Sequence, residues 1–142
     1  MSSAGIEMQL WIGGIVHFGV LSASALVPRT LDWRGELAKL HPFLRKLVWV
    51  YGAFIVLVIV GFGVISLTCA SELASGTPLA RAVCGFVAIF WLARVLVAAL
   101  VFDARPFLRN ALLKIGYAVL NAAFVYLTIA YGVAAIRAAH AA

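Results

Sequence analysis

Four long apolar stretches, Met8 to Val27, Leu47 to Ala70, Ala82 to Phe102 and Ala111 to Ile136, fill most of the 142-residue chain. Each reaches the roughly 20 residues that a bilayer's hydrocarbon core requires. Backbone polar groups in lipid must be satisfied within the spanning segment, so such stretches are expected to be helices. The expected fold is all-α: a polytopic membrane protein in which four transmembrane helices form two hairpins, with residues 1–142 as a single integral membrane domain. Connections of this length leave no room for an extramembrane fold, which removes most classes of soluble enzyme.

Composition agrees: 65% of residues are hydrophobic and 11% charged, and the mean hydropathy is +1.11. The net charge of +6 raises the question of nucleic acid, and the distribution of charge answers it. Arg29, Arg34, Lys39, Arg45, Lys46, Arg105, Arg109 and Lys114 lie in or beside the first and third connections, against Arg81 and Arg137 on the other side. Under the positive-inside rule, that bias places these two connections in the cytoplasm and both termini outside a bacterial-type inner membrane. Basic charge is then a topology signal that also attracts anionic headgroups, and no nucleic-acid partner is expected. The small residues Ser22 to Ala25 resemble a cleavage site, but no Lys or Arg precedes the first span, so it reads as a retained helix.

Pro42-Phe43-Leu44-Arg45-Lys46 and Pro106-Phe107-Leu108-Arg109-Asn110 form a faint repeat. Proline presets a first helical turn, so the two segments are expected to open the second and fourth helices, through duplication or through a boundary signal arising twice. Pro28 to His41 is the richest polar segment, and its Leu31, Trp33, Leu37 and Leu40 predict a short interfacial helix. Arg29, Asp32 and Arg34 there, with Asp103 and Arg105 of the third connection, are expected to form a cytoplasmic ion-pair cluster fastening the two hairpins.

Inside the spans His17, Arg94 and Asn121 stand out, because ionisable or amide groups at membrane depth usually face protein and mark function. On the fourth span Lys114, Tyr117, Asn121, Phe124, Thr128 and Tyr131 recur at helical spacing. On the first, Gly13, Gly14, His17, Leu21 and Ser24 share a face; on the third, Phe86, Phe90 and Arg94 do, with Trp91 beside them. Convergence of these faces predicts an intramembrane ligand site of His17, Arg94, Asn121, Tyr117 and Trp91, suited to a quinone, a lipid, a porphyrin or an anionic amphiphile. The alternative is helix packing with satisfied polar groups.

Haem needs a His pair at one depth on facing helices. His17 is near mid-span, His41 is in a connection and His140 is in the C-terminal tail, so one chain supplies one ligand. Trp11, His17 and Pro28-Arg29 resemble the first helix of the four-helix membrane protoporphyrinogen oxidase family and its copper-resistance relatives. The spacing differs, the third span carries no histidine, and the resemblance covers one hairpin. No phosphate loop or zinc spacing appears. All five carboxylates, Glu7, Asp32, Glu36, Glu72 and Asp103, lie outside the spans, so proton-coupled export lacks its usual residue.

These features lead to a small non-enzymatic integral membrane subunit or accessory factor of a larger complex, with the bilayer and either partner subunits or further copies of itself as partners. The alternatives are a binder or processor of a hydrophobic redox ligand, quinone or haem, and a small oligomeric transporter or channel. Cys69 and Cys84 flank the second connection, close enough to the same surface for a disulfide to be conceivable, with buried free thiols the commoner state of such cysteines.

Overall fold

The computed structural model describes residues 2–137, so His140 lies outside the described residues. The chain is an all-α four-helix bundle. Its long helices are α1 (Ser3–Thr30), α3 (Pro42–Thr68), α5 (Pro78–Leu100) and α6 (Ala111–Arg137), and two short ones, α2 (Trp33–Ala38) and α4 (Ala70–Ala74), sit in the connections. All four long helices are long and apolar enough to cross a membrane. At 1.5 Å per residue the 23 residues of α5 extend about 35 Å, enough for a hydrocarbon core of about 30 Å.

Hydropathy marks where lipid begins, whereas capping decides where a helix begins, and the two differ by several residues. Pro42 occupies the first turn of α3, behind His41, whose Nδ1 accepts from the Phe43 amide at 3.3 Å. Pro78 does the same for α5, four residues ahead of the apolar stretch, with Thr77 capping the Ala80 amide at 3.3 Å. Pro106 does not: it lies in a turn and α6 starts at Ala111, so the repeat stops short of a shared structural role. Pro28, expected in a connection, is inside α1, which continues to Thr30.

The short helix expected in the first connection is present as α2, but the ion-pair cluster is not. Asp32 takes a left-handed backbone (φ 45°) and caps α2 by accepting from the Gly35 amide at 3.4 Å. The ion pairs among the described residues are Lys39 with Glu36 at 2.7 Å and Arg105 with Asp103 at 4.0 Å, both local. No ion pair therefore joins the first connection to the third, and Arg29 and Arg34 take no part in one. A capping carboxylate three residues from its amide needs little chain ordering, whereas an exposed ion pair between two loops gains under about 1 kcal/mol.

The core fills one end of the bundle. Buried side chains come from Ile6 to Val20 of α1, Ile59 to Ser66 of α3, Ala80 to Trp91 of α5 and Phe124 to Ala134 of α6. All belong to the halves nearer the chain termini. In the loop-side halves, residues 21–58 and 92–123, no residue is buried. The hairpins α1–α3 and α5–α6 are thus joined at the terminal side and open toward the first and third connections. Along α3 the openness is nearly complete, for Trp49, Tyr51, Phe54, Ile55, Val56 and Leu57 are all exposed, Leu57 at 64%. Helix α4 closes the terminal side, burying Ala70 and Leu73 against α1 and α5. Both cysteines are free thiols, with the buried Cys84 Sγ 3.9 Å from the Leu73 carbonyl oxygen.

Close approach of α1 and α3 depends on glycine. A Cβ on Gly14 would come within 2.8 Å of Leu67 and 3.2 Å of the Gly63 carbonyl oxygen, whereas one on Gly19 of the same helix meets nothing within 4 Å. Without a hydrophobic force between helices in lipid, such backbone proximity carries much of the association. Gly14→Ala is expected to lower unfolding stability in detergent by about 1 to 3 kcal/mol and Gly19→Ala to leave it within about 0.5 kcal/mol.

Candidate functional site

Within the closed half, polar groups on all four long helices meet in one layer. His17, fully buried on α1, places Nδ1 2.7 Å from the Gly13 carbonyl oxygen one turn back, and a carbonyl only accepts, so Nδ1 carries the proton. Nε2 is then the acceptor, and Trp91 of α5 donates its indole N–H to it at 3.0 Å. On α3, Ser66 donates its single hydroxyl proton to the Phe62 carbonyl at 2.7 Å. The Tyr131 hydroxyl of α6, 2.5 Å from Ser66 Oγ, is therefore the donor of that second bond. Each strong donor in this layer has an acceptor, as groups shielded from water require. Nitrogen-15 NMR of His17 is expected to show a protonated Nδ1 and an unprotonated Nε2, the less common neutral tautomer; a protonated Nε2 contradicts the arrangement.

Aromatic rings enclose these groups. His17 meets Phe62, Trp91 and Tyr131 edge-on, with centroids 5.9, 5.4 and 5.6 Å away. Trp91 stacks on Phe124 at 5.1 Å, and Phe90 bridges Phe62 and Trp91 at 5.3 and 5.2 Å. Pairs of this kind contribute about 0.5 to 1.5 kcal/mol each beyond their packing. The faces of the first, third and fourth spans do converge, joined by Phe62 and Ser66 of the second. They converge as a filled core. His17 and Trp91 are hydrogen-bonded to one another, so no ligand lies between them, and both His17 ring nitrogens are engaged, which leaves no free lone pair for haem iron.

The other sequence candidates lie apart from that layer. Arg94 is exposed, its guanidinium carbon 5.6 Å from the centroid of the Phe124 ring, on which Trp91 also stacks. Polar neighbours were expected around it; its contact is a phenyl ring, a cation–π pair. Asn121 is half-buried and donates from Nδ2 to the Tyr117 carbonyl at 2.8 Å, an internal bond of α6. Tyr117 lines a surface depression of about 490 Å³ with Ala99 to Arg105 and Leu108, beside the third connection. The five candidates thus fall into a sealed pair, His17 with Trp91, an exposed cation one turn below it, and a local pair, Tyr117 with Asn121.

The orientation of Arg94 follows from its own helix. Phe86 and Phe90 of α5 touch Phe62 of α3, and Trp91 reaches His17 of α1. Arg94 is four residues beyond Phe90 and three beyond Trp91, so it extends the same face of α5, with its guanidinium against Phe124 of α6. On α3 the face that carries Phe62 continues one and two turns toward the loop side as Val58 and Ile55, which are 38% and 53% exposed. Neither α5 nor α3 buries a residue on the loop side, and Arg94, exposed with its guanidinium over Phe124 of α6, borders the open cleft between them. The helix ends six residues later at Leu100, so Arg94 lies about 9 Å inside it.

Sequence reasoning missed Ser66 and Phe62. Their spacing of four on an apolar helix was the available signal, but a serine that bonds its own backbone is common in such helices and looks unremarkable in isolation.

Architecture and site together describe a four-helix membrane bundle with a closed polar layer and an open loop-side cleft. No family model matches the chain, and neither a curated protein nor a solved structure does so.

Proposed function

We propose that this chain is a small non-enzymatic subunit or accessory factor of a larger inner-membrane complex, and that its loop-side cleft is where the complex is assembled. The observation that carries this reading is Arg94: a permanent cation on the wall of an open cleft, about 9 Å inside a spanning helix, with no carboxylate, carbonyl or hydroxyl accepting from it among the described residues. Leaving such a charge in hydrocarbon costs up to about 2.5 to 3.5 kcal/mol on the insertion scale, the value at a helix centre, a cost that a partner supplying an acceptor removes. A closed layer around His17 and an open half around Arg94 suit a rigid platform that receives something rather than an enclosed reaction chamber. Extraction in mild detergent and native mass measurement test this: a heteromeric assembly of fixed stoichiometry is the expected result, and a monomer or a pure homo-oligomer contradicts it.

A quinone or another anionic or polar-headed amphiphile in the same cleft is the second reading, favoured by the aromatic Phe124 behind Arg94. It predicts an extractable redox-active or acidic lipid at unit stoichiometry.

In this reading both termini face the outside of a bacterial-type inner membrane, following the excess of basic residues in the first and third connections. Gly35 is unsuitable as a reporter because a Cβ there runs into the Asp32 carboxylate, while Arg34 is exposed. In a Cys69→Ser background, Arg34→Cys is expected to resist an impermeant thiol reagent in intact cells and to react after permeabilisation; labelling in intact cells reverses the orientation.

A further inference from the structure

We infer that the occupant of the cleft beside Arg94 is a membrane helix of a different protein that carries a carboxylate at the depth of Arg94. This rests on the subunit reading and names the chemistry of its partner. Three observations lead to it. Among the described residues Arg94 has only the Phe124 ring against its guanidinium, and Val58 and Ile55, which continue the Phe62 face of α3 on the loop side, are apolar and exposed. A charged group in that setting is best met by an anion that can accept two parallel N–H bonds, which a carboxylate does.

The second observation excludes a further copy of this chain as the source. Its five carboxylates are Glu7, Asp32, Glu36, Glu72 and Asp103. Asp32, Glu36, Glu72 and Asp103 belong to the connections and to α2 and α4, and Glu7 stands in the first turns of α1 at the terminal side. The basic bias of the first and third connections gives every copy the same orientation, and in that orientation none of these carboxylates lies at the depth of Arg94, about 9 Å inside the loop-side end of α5. A homo-oligomer of copies in one orientation leaves every Arg94 without an anion.

The third observation is the form of the cleft. On the loop side α3 is exposed over several consecutive turns, from Val48 to Val58, about 15 Å, with all its large side chains more than a third uncovered and only Trp49 meeting a ring of the first connection, Trp33. An added helix supplies continuous packing over that distance. A lipid phosphate, the competing source of anionic oxygen, sits at the interface and meets Arg94 only by drawing the guanidinium out of the cleft toward the loop side.

The test uses the full chain in zwitterionic phosphatidylcholine bilayers and, as probe, a 22-residue leucine-rich transmembrane peptide bearing Asp, Asn or Leu at the Arg94 depth, with association read by energy transfer. The Asp peptide is expected to associate about tenfold more tightly than the Leu peptide. Arg94→Leu removes the difference, and Arg94→Glu transfers the preference to a Lys-bearing peptide. Equal association of the Asp and Leu peptides with the wild-type chain overturns the inference. So does loss of the Asp preference when phosphatidylglycerol is included, which assigns Arg94 to lipid phosphate. Failure here with a heteromeric assembly still recovered from native membranes removes only the carboxylate partner; recovery of a monomer removes the subunit reading itself.

Discussion

Replacing His17 by alanine is expected to destabilise the bundle by about 3 kcal/mol, a large effect for a single substitution. Two terms contribute, and their sizes rank them. Hydrogen bonds within membrane bundles average about 0.6 kcal/mol and reach about 1.7, so the loss of the Trp91 bond alone is modest. The cavity is larger: His17 has no exposed surface and touches Phe62, Trp91 and Tyr131, and truncating a side chain so enclosed typically costs about 2 to 5 kcal/mol. His17→Leu separates the terms, because it keeps most of the volume while leaving the Trp91 N–H without an acceptor, and should cost about 1 to 2 kcal/mol. Reversible unfolding in mixed detergent micelles measures both. Near-neutral behaviour of His17→Ala would show that the layer is not a packed core, and would reopen the possibility of a ligand at this depth.

The second large effect concerns assembly. Arg94→Leu removes a charge whose only contact among the described residues is a cation–π pair of about 0.5 to 1 kcal/mol at an exposed position, and adds an apolar side chain to an apolar cleft. The isolated chain should therefore lose no more than about 1 kcal/mol, and insertion into lipid should become easier. A partner that pairs with Arg94 loses a charge-assisted, bidentate contact and is left with its own buried carboxylate unpaired, which costs several kcal/mol. Dissociation of the complex with retention of the fold is the expected phenotype. Arg94→Lys keeps the charge but not the fork, and should restore assembly only in part.

Much of the architecture was legible in the sequence. Lipid imposes a length and a composition on each span, so the four helices and the class of fold followed from the apolar stretches alone, and Pro42 marked the start of α3 because a helix opening tolerates its missing N–H. Helical spacing also placed His17, Trp91 and Phe90 on inward faces correctly. The pairings were not legible, and the reason differs between sites. Asp32 had two satisfactory uses, an ion pair across loops or a cap on α2, and the local one won through its smaller ordering cost. His17 had the spacing of a ligand as much as of a packing residue; the difference lies in whether Trp91 comes within 3.0 Å of Nε2, a fact of tertiary structure. Pro106 followed the pattern of Pro42 without opening a helix, since four residues of turn and loop separate it from Ala111. The division into a closed half and an open half left no mark at all, because apolar side chains serve equally against lipid and against protein.

One comparison tests the account most directly: unfolding stability and native assembly mass measured on the same preparations of the wild-type, Arg94→Leu and His17→Ala chains, extracted together with their membrane neighbours. The account predicts that Arg94→Leu keeps wild-type stability within about 1 kcal/mol and loses the heteromeric mass, while His17→Ala loses stability by about 3 kcal/mol. An Arg94→Leu chain that retains its full assembly, or a wild-type chain that has none, would contradict the claim that the loop-side cleft is where this protein does its work.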